Sequence, residues 1–528
     1  MGPTDPRRRK APTGSGDNSS KMTDLDRHIG QLFMVDFTGY APDPEVIRLI
    51  EDEGVGGVIL FVKNVASARQ VATLTNALQE VAARAGYPPL LVSADQEGGP
   101  VVRLPKEATH FPSAMAFGAA GSEALAASAA GVTARELRAV GIHMNMAPDL
   151  DVNNNPANPV IGIRSFGEDP QRVAGLGSAA VRAMQASGVL ATVKHFPGHG
   201  DTSLDSHLDL PVVPHSRAHL DAVELPPFAA AIRAGVGAVM TAHVVYPALD
   251  PERPATLSPV VLGMLRTQLG FTGLIVTDSM AMQAITNRHA PGDAAVAAIM
   301  AGADIILACG PVAAQRESIE AVRRAVDRGR IPASRIAESA ARVAAAKERL
   351  NLGNGAVVAV DRVDAAVGAT AHRDVAEHVA EAAVTLVRGG RSAVPLPPGP
   401  VSVVALDGAP PAAVDGLAAA LREAGREVDV RPAGAAAGHG TLVAVLGRRT
   451  DPDGGAREAV LRMPGAPVAA VAVDVPYGLA RLPRDVGCVA AYGWDPPSLR
   501  AAARVLTGSL APRGRLPVTL DEPGEARA

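Results

Sequence analysis

The sequence predicts an α/β fold, a (β/α)₈ TIM-type barrel followed by a smaller α/β domain arranged as an αβα sandwich. Short apolar runs, separated by Ala-rich amphipathic segments, recur eight times in the first two thirds of the 528-residue chain. This alternation is typical of buried parallel strands that alternate with helices, and eight repeats suit a closed barrel. An open doubly wound sheet is the alternative arrangement of the same runs.

Eight apolar segments are the predicted barrel strands: QLFMVDF near residue 31, GGVILF near 56, PLLVSAD near 89, IHMNMAP near 142, LATVKHF near 190, GAVMTAH near 237, GLIVTDS near 273 and ADIILA near 303. Helices are predicted between them, for example over SARQVATLTNALQEVAARAG and SEALAASAAGVTARELRAVG. A further helix is predicted through DVAEHVAEAAVTLV. The second domain then has predicted strands at VSVVAL, TLVAVLG, PVAAVAVDV and GCVAAYGW.

Changes in composition along the chain predict four regions. Residues 1–22 carry basic residues without an apolar run behind them and are predicted to be a disordered tail. Residues 23–352 form the predicted barrel and residues 353–375 a linker. Residues 376–528, which are rich in Ala, Gly and Pro, form the predicted sandwich domain.

Composition also indicates which binding partners and which cellular location to expect for the protein. The formal net charge of -4 argues against nucleic acid or an anionic membrane as the main partner. No window approaches the run of about 20 apolar residues that a membrane span needs. We therefore expect a cytoplasmic protein, with export by a route without a classical signal as the alternative. The only two cysteines, Cys309 and Cys488, are far apart and indicate neither a disulfide framework nor a cysteine metal site.

Five titratable residues stand at the C-terminal ends of predicted strands. In a barrel this end of the strands carries the active site, so we expect these side chains to share one site. The alternative is that each one only caps the helix that follows it. The five residues are Asp95, Lys194, His195, His243 and Asp278.

The segment KHFPGHGDTSLDSHLDL, residues 194–210, concentrates histidines and carboxylates, with Asp151 expected nearby. One interpretation is a metal site, because His195 and His199 have the HxxxH spacing of helical metal ligands. The proline and glycines between and beside them disfavour a helix, which weakens this interpretation. Another is a polar loop whose histidines only satisfy backbone groups.

The third interpretation is acid–base catalysis. Asp205 and His207 are two residues apart, so the carboxylate can reach the imidazole, orient it and favour its protonated form. A proton donor near neutral pH needs this arrangement. Asp278, directly after an apolar strand, is a candidate nucleophile or charge stabiliser, with a helix N-cap as the alternative.

These motifs resemble glycoside hydrolase family 3 and, within it, the bacterial β-N-acetylglucosaminidase branch. The matching segments appear in family order over roughly residues 29 to 310 and include DQEGG, RSFGEDP, KHFPGHG with DSH, and GLIVTDSMAM. The KHFPGHG segment followed by DSH is highly specific, and DSH separates this branch from the family's glucosidases. One departure is Asp149 in APDLDV, where the family usually has an apolar residue.

The resemblance implies roles for residues at matching positions. Asp278 would be the nucleophile, and His207, paired with Asp205, would be the general acid and base. No cofactor or metal is expected. The residues that would bind the sugar hydroxyls and acetamido group are Asp95, Arg103, Arg164, Lys194 and His195.

The function implied is a retaining, exo-acting β-N-acetylglucosaminidase that works through a covalent glycosyl-enzyme. Its substrates would be muropeptides, in peptidoglycan recycling, or chitooligosaccharides, and the protein would be a monomer or a homodimer. One alternative is a phosphorylase, because a neutral histidine base does not repel phosphate as a carboxylate does. The others are a β-glucosidase or xylosidase of the same fold and a non-catalytic barrel that binds sugar.

Overall fold

The computed structural model describes residues 23–389, 394–406, 408–432, 440–447 and 468–520. The predicted disordered tail, residues 1–22, lies outside the described residues. Within the described ranges, none of the helices has both the length and the apolar character that a membrane span requires.

The first part of the chain folds as a nearly closed parallel barrel, as predicted. Each predicted apolar run contains one strand of its sheet. The strands are β1 Phe33–Val35, β2 Gly57–Leu60, β3 Leu91–Ala94, β4 Met144–Asn145, β5 Leu190–Phe196, β6 Ala238–Thr241, β9 Leu274–Val276 and β10 Ile306–Ala308. Their order in the sheet is β10-β1-β2-β3-β4-β5-β6-β9, and a bridge from Val276 to Ile305 brings the two edges together. A hairpin that the sequence did not reveal lies between β6 and β9 and consists of β7 Val245–Tyr246 and β8 Asp250–Pro254.

Helices alternate with the barrel strands and continue into residues 353–375, the predicted linker. Those preceding residue 220 are α1 Asp24–Gln31, α2 Pro44–Glu51, α3 Ala68–Arg84, α4 Ala114–Ala120, α5 Glu123–Ala139, α6 Pro170–Ala186 and α7 Arg217–His219. Those that follow are α8 Leu225–Arg233, α9 Pro259–Thr267, α10 Gln283–Thr286, α11 Pro291–Ala301, α12 Val312–Asp327, α13 Ala333–Arg349, α14 Leu352–Gly355 and α15 Val363–Ala366. The two helices quoted from the sequence coincide with α3 and α5.

Side chains along the barrel strands alternate between two apolar cores. Met34, Leu91 and Leu307 belong to the cluster that fills the barrel interior. Phe33 and Val35, on either side of Met34, belong to the cluster between strands and helices. Because successive strand residues face opposite ways, one strand supplies both cores. The filled interior leaves the strand ends as the place for a binding site.

The second part of the chain forms a separate six-stranded sheet with helices, which confirms the predicted α/β domain. Its strands are β11 Thr385–Arg388, β12 Val401–Leu406, β13 Val428–Arg431, β14 Thr441–Leu446, β15 Val468–Ala472 and β16 Gly487–Ala490. The sheet has the order β11-β16-β15-β14-β12-β13 and is parallel except for β11, which runs antiparallel to β16. Its helices are α16 Thr370–Ala383, α17 Pro411–Glu423 and α18 Pro496–Leu506. The boundaries drawn from the sequence between barrel, linker and sandwich stay predictions.

One element of the second domain differs from its prediction. The helix predicted through DVAEHVAEAAVTLV ends at Ala383, and residues 385–388 form strand β11 instead. The β-branched residues Val384, Thr385 and Val387 favour extended backbone. The edge of β16 also offers β11 hydrogen-bonding partners that a single sequence does not reveal.

The sheet of the second domain buries both faces against different parts of the molecule. Val403, Val443 and Val445 pack in a cluster with side chains of α16, α17 and α18. The alternate residues of the same strands, such as Val404 and Ala444, pack in another cluster. That cluster also contains Met115, Ala116 and Ala119 of α4 and Ile163 from the barrel. The second domain is therefore fused to the barrel through an apolar interface.

Candidate active site

The carboxyl ends of the barrel strands converge on one cavity, which brings most of the predicted site residues together. Its lining includes the predicted sugar-binding residues Asp95, Arg103, Arg164, Lys194 and His195, together with the predicted catalytic residues His207 and Asp278. Asp205, which is not among these lining residues, contacts His207. His243, the remaining strand-end residue, lies next to Asp278 and makes its contacts behind the cavity wall.

Ion pairs with little exposure to solvent organise the side of the cavity at the carboxyl ends of strands β3 and β5. Lys194 Nζ lies 2.8 Å from Asp95 Oδ1 and 2.6 Å from Glu97 Oε1. Arg164 donates two hydrogen bonds to Glu97, of 2.8 and 2.9 Å. Buried charges are tolerated when they are paired and hydrogen-bonded in this way. The pairing fixes the position of both cations before any ligand binds.

The protonation states follow from this pairing. Burial alone would raise the pKa of Glu97, but the charges of Arg164 and Lys194 outweigh it and lower that pKa. Burial would lower the pKa of Lys194, and Asp95 and Glu97 reverse this effect and raise it. Glu97, Lys194 and Arg164 are therefore charged near neutral pH.

Arg103 is held less tightly than the other two cations. Its Nη2 lies 4.0 Å from Asp95 Oδ2, and its Nε has no hydrogen-bond partner among the described residues. The backbone nitrogen of Arg103 donates to Gln96 Oε1 over 2.7 Å, which fixes the main chain beside the cavity. The guanidinium therefore has donor capacity left for a ligand.

A buried carboxylate orients His195. Asp151 Oδ2 lies 2.7 Å from His195 Nδ1, and Asp151 Oδ1 accepts the backbone N–H groups of His195 and His199 over 3.1 and 2.7 Å. Burial opposes ionisation of Asp151, but its contacts with the two histidines lower its pKa to about 2. With Nδ1 bound to Asp151, Nε2 of His195 is the ring nitrogen available to a ligand.

Asp278 lines the cavity as a partly buried, ionised carboxylate. Its Oδ1 accepts the N–H of Ser279 over 2.7 Å. Burial would raise its pKa, but His243, His195 and the Ser279 amide outweigh this effect and lower it. His243 is held by Thr256 Oγ1 at 2.8 Å and by the carbonyl of Ser279 at 3.0 Å. A partly buried, ionised carboxylate of this kind can attack or stabilise an electrophilic carbon.

The predicted pair of Asp205 and His207 forms in the structure at the cavity rim. Asp205 Oδ1 lies 2.8 Å from His207 Nδ1 and also accepts the backbone N–H of His207 over 2.8 Å. The His207 side chain is 63% exposed and that of Asp205 29%, so the imidazole can reach solvent and a ligand at once. The cavity therefore combines a partly buried carboxylate, Asp278, with a carboxylate-oriented imidazole at its mouth.

This combination agrees with the comparison of the sequence with known families. Residues 24–346 match the family described as "Glycosyl hydrolase family 3 N terminal domain". The chain belongs to glycoside hydrolase family 3. The resemblance found in the sequence is thereby confirmed.

Relatives and solved structures of this family 3 enzyme carry consistent names. It is 37% identical over 402 residues to "Beta-hexosaminidase A" of Pseudoalteromonas piscicida, covering 68% of this chain and 66% of that protein, just under two thirds of its length. A solved family 3 β-N-acetylglucosaminidase from Paenibacillus sp. str. FPU-7 superimposes with a TM-score of 0.87 at 40% identity, covering 94% of this chain and 99% of that one. A β-N-acetylhexosaminidase from Beutenbergia cavernae DSM 12333 is 35% identical, with a TM-score of 0.58, and covers 62% of this chain and 99% of that one. The chain is a glycoside hydrolase.

The HxxxH pair of the family 3 enzyme is used for hydrogen bonding. Both ring nitrogens of His199 have partners, Ser206 Oγ at 3.0 Å and Thr202 Oγ1 at 2.9 Å. Burial, followed by the neighbouring His195, lowers the pKa of His199 to about 4, so its ring is neutral. His199 therefore fixes the fold of the catalytic loop, residues 194–210.

A different set of possible metal ligands lies nearby. Ligand atoms of Asp149, Asp151 and His195 come within 4.8 Å of one another. Both oxygens of Asp151 are already hydrogen-bonded, and Arg164 Nη2 lies 3.4 Å from Asp149 Oδ2. These contacts account for the cluster, and a bound cation would have to compete with the guanidinium.

Asp149, the departure from the family pattern, is buried beneath the cavity. Only 2% of the residue is exposed, so it does not face solvent. Its Oδ1 accepts the N–H of Asp151 over 2.9 Å. Burial, and then the charge of Asp151, raise its pKa well above the usual value despite Arg164.

Sequence reasoning did not single out three residues that support the site. Glu97 stands two residues after Asp95 in the DQEGG motif, and that spacing was its only signal. Asn158 donates from Nδ2 to the carbonyls of His199 and Gly200 over 2.9 and 2.8 Å, which anchors the catalytic loop. Glu224, the third, comes from a distant helical segment and had no signal in the loop.

Glu224 is a buried acid beneath the catalytic loop. It ends a π-helical turn, and a Cβ built on Gly198 would come within 2.3 Å of its Oε2. Its Oε1 accepts a hydrogen bond of 3.2 Å from Asn154 Nδ2. Burial, reinforced by the charge of Asp151, raises the pKa of Glu224 to about 8. The side chain therefore holds its proton at neutral pH.

We expect Glu224→Gln to flatten the dependence of stability on pH. The unfolded carboxyl ionises near pH 4.5 and the folded one near 8. Between these values the folded protein holds the extra proton, so wild-type stability falls as pH rises, by about 3–5 kcal/mol in all. Urea unfolding at pH 5 and pH 8.5 measures this loss. Glu252→Gln, at an exposed position, should keep the wild-type slope. Equal slopes in all three proteins would show that Glu224 is ionised in the fold.

Proposed function

We propose that the chain is an exo-acting β-N-acetylglucosaminidase that retains the anomeric configuration through a covalent glycosyl-enzyme. The observation that supports this proposal most directly is the pairing of His207 with Asp205 at the mouth of the cavity that contains Asp278. The names carried by the Pseudoalteromonas and Paenibacillus relatives support the same substrate class.

In the first step, protonated His207 donates its Nε2 proton to the glycosidic oxygen while Asp278 attacks the anomeric carbon. Asp205 stabilises the imidazolium through Nδ1 and keeps the ring oriented. In the second step, neutral His207 removes a proton from water, which displaces Asp278 from the sugar. Two displacements at one carbon retain its configuration. The Asp–His pair takes the place of the second carboxylate that retaining glycosidases usually use.

The walls of the cavity are assigned to recognition of the terminal sugar. Asp95 can accept bonds from sugar hydroxyls, while Lys194 and Arg103 donate. Arg164 and His195 complete the set that would contact hydroxyls and the acetamido group. Because the buried cations are positioned by Asp95 and Glu97, little ordering is needed when the sugar binds. Muropeptides and chitooligosaccharides both present this terminal sugar, and a cytoplasmic role in peptidoglycan recycling remains our expectation.

Substrate preference tests the proposal. We expect p-nitrophenyl N-acetyl-β-glucosaminide to be hydrolysed with a kcat/KM at least about 10²-fold above that of p-nitrophenyl β-glucoside. A site that hydrogen-bonds a substrate group discriminates strongly against analogues lacking it. Preference for the glucoside would identify a glucosidase. Absence of turnover with a folded protein would favour a sugar-binding barrel.

The same assay distinguishes hydrolysis from phosphorolysis. Product analysis in phosphate buffer should give free N-acetylglucosamine, with the same rate in a phosphate-free buffer of equal ionic strength. A sugar 1-phosphate as the main product would identify a phosphorylase, in which phosphate takes the place of water as the acceptor.

A further inference from the structure

One wall of the cavity rests on the second domain. The wall segment, residues 153–168, is held at both ends by residues far along the chain. At its start, Asn153 Nδ2 donates to the hydroxyl of Tyr477 over 2.8 Å, in a buried position. At its end, the N–H of Glu168 donates to the carbonyl of Pro517 over 3.1 Å.

The middle of the wall segment is embedded in the apolar core of the second domain. Ile163 is 1% exposed and packs in the cluster formed by the barrel-facing side of the second sheet. Close backbone packing adds to this contact, because a Cβ on Gly167 would come within 2.5 Å of the Pro517 carbonyl. The members of that cluster contributed by the second sheet include Val404, Leu442, Ala444, Leu446 and Ala470.

The wall segment carries two of the contacts on which the site depends. Arg164 follows Ile163 directly, pairs with Glu97 and lines the cavity. Asn158 anchors the catalytic loop through the carbonyls of His199 and Gly200. Displacement of this segment would therefore move a sugar-binding cation and the start of the loop that carries His207.

We propose that the second domain is a positioning element of the active site, acting through Ile163 and Tyr477 on Arg164 and Asn158. It contributes none of the catalytic groups named above. It fixes the wall segment from behind, so that the guanidinium of Arg164 stands in place before the sugar arrives. The activity readouts below rest on the proposed function, whereas the exchange readout does not.

Kinetics of Ile163→Ala test this role against a matched control. Val443→Ala removes a comparable buried side chain from β14, on the opposite face of the sheet, where it packs against helices. Assayed well below both melting temperatures, Ile163→Ala should raise KM for the aryl N-acetylglucosaminide about 10-fold and lower kcat/KM by about 10²-fold, as expected for small misplacement of positioned groups. Val443→Ala should stay within about 2-fold of wild type on both. Equal kinetic losses in the two variants would overturn the proposal.

A double-mutant cycle identifies the route of the effect. If Ile163 acts through Arg164, adding Ile163→Ala to Arg164→Lys should cost less than about 3-fold further in kcat/KM, since coupled residues are non-additive. If the loss of kcat/KM in the double variant equalled the product of the losses in the two single variants, the proposed route would be contradicted. If Ile163→Ala does not fold, Ile163→Val and Tyr477→Phe replace it in the comparison with Val443→Ala. We then expect KM to rise about 3-fold in each of the two variants. An unchanged KM would overturn the proposal.

Hydrogen exchange tests the same role without a substrate. Backbone amides of residues 158–168 should exchange faster in Ile163→Ala than in wild type, and at the wild-type rate in Val443→Ala. Equal rates in all three proteins would overturn the positioning role. If exchange is faster in Ile163→Ala alone but the wild-type protein hydrolyses no N-acetylglucosaminide, the proposed function is wrong and the positioning role is still supported.

Discussion

Asp278→Asn is expected to lose hydrolysis of p-nitrophenyl N-acetyl-β-glucosaminide by a factor on the order of 10⁴–10⁶ in kcat, as for loss of a nucleophile elsewhere. The substitution keeps the size of the side chain and the N–H bond from Ser279, but it removes the charge that His243 and His195 stabilise. A neutral amide can neither attack the anomeric carbon nor balance its positive charge. Initial rates with a matched melting curve measure the effect.

Asp36→Asn is the matched control for this experiment. Asp36 follows β1 at the same end of the barrel, but it pairs with Lys63 over 2.6 Å and accepts a bond from Gln315, outside the cavity lining. We expect this variant to keep activity within about 3-fold of wild type at temperatures where it is folded. Substantial turnover by Asp278→Asn, or equal inactivation of folded Asp36→Asn, would contradict the nucleophile assignment.

The elements of the site that sequence predicted are those set by local spacing. Asp95, Lys194, His195 and Asp278 follow or end apolar strands, and parallel strands bring such positions to one end of the barrel. Asp205 and His207 meet because they are two residues apart in a turning loop. The positions of these residues can be predicted from a short stretch of sequence and from the rule that parallel barrel strands end on the same side.

Contacts between distant parts of the chain could not be predicted in the same way. Glu97 neutralises Lys194 and Arg164, which come from two other elements, and only the folded barrel shows that one carboxylate serves both cations. Glu224 reaches the catalytic loop from a helical segment. Ile163 looked like an ordinary apolar residue beside a motif, and its contact with the second sheet depends on how two domains pack.

The three histidines of the catalytic loop, residues 194–210, have different roles. His195 is oriented by Asp151 and lines the cavity. His199 is neutral and hydrogen-bonds to other residues of the loop. His207 lies at the rim of the cavity, paired with Asp205. Three histidines of similar sequence context therefore differ in burial and partner. Of these three, His207 alone has both a carboxylate partner and an exposed ring that lines the cavity, so its imidazole can contact a ligand and solvent.

His207→Ala should consequently depend on the leaving group. For N,N′-diacetylchitobiose, whose departing hydroxyl needs a proton, we expect kcat/KM to fall about 10²–10⁴-fold, the usual contribution of a general acid. For the p-nitrophenyl glycoside, whose leaving group departs as a stable anion, the loss in kcat/KM should stay below about 10-fold. The comparison uses kcat/KM because it covers only the steps up to departure of the leaving group, whereas kcat also includes attack by water.

Two further variants separate acid catalysis from loop damage. Asp205→Asn keeps the imidazole but removes the charge 2.8 Å from Nδ1, so it should show the same dependence on leaving group with a smaller loss. His289→Ala, a histidine outside the cavity lining, should leave both substrates within about 2-fold of wild type. If His207→Ala lost equal activity on both substrates, the imidazole would be holding the loop or the sugar in place, and the proton donor would have to be sought elsewhere on the rim.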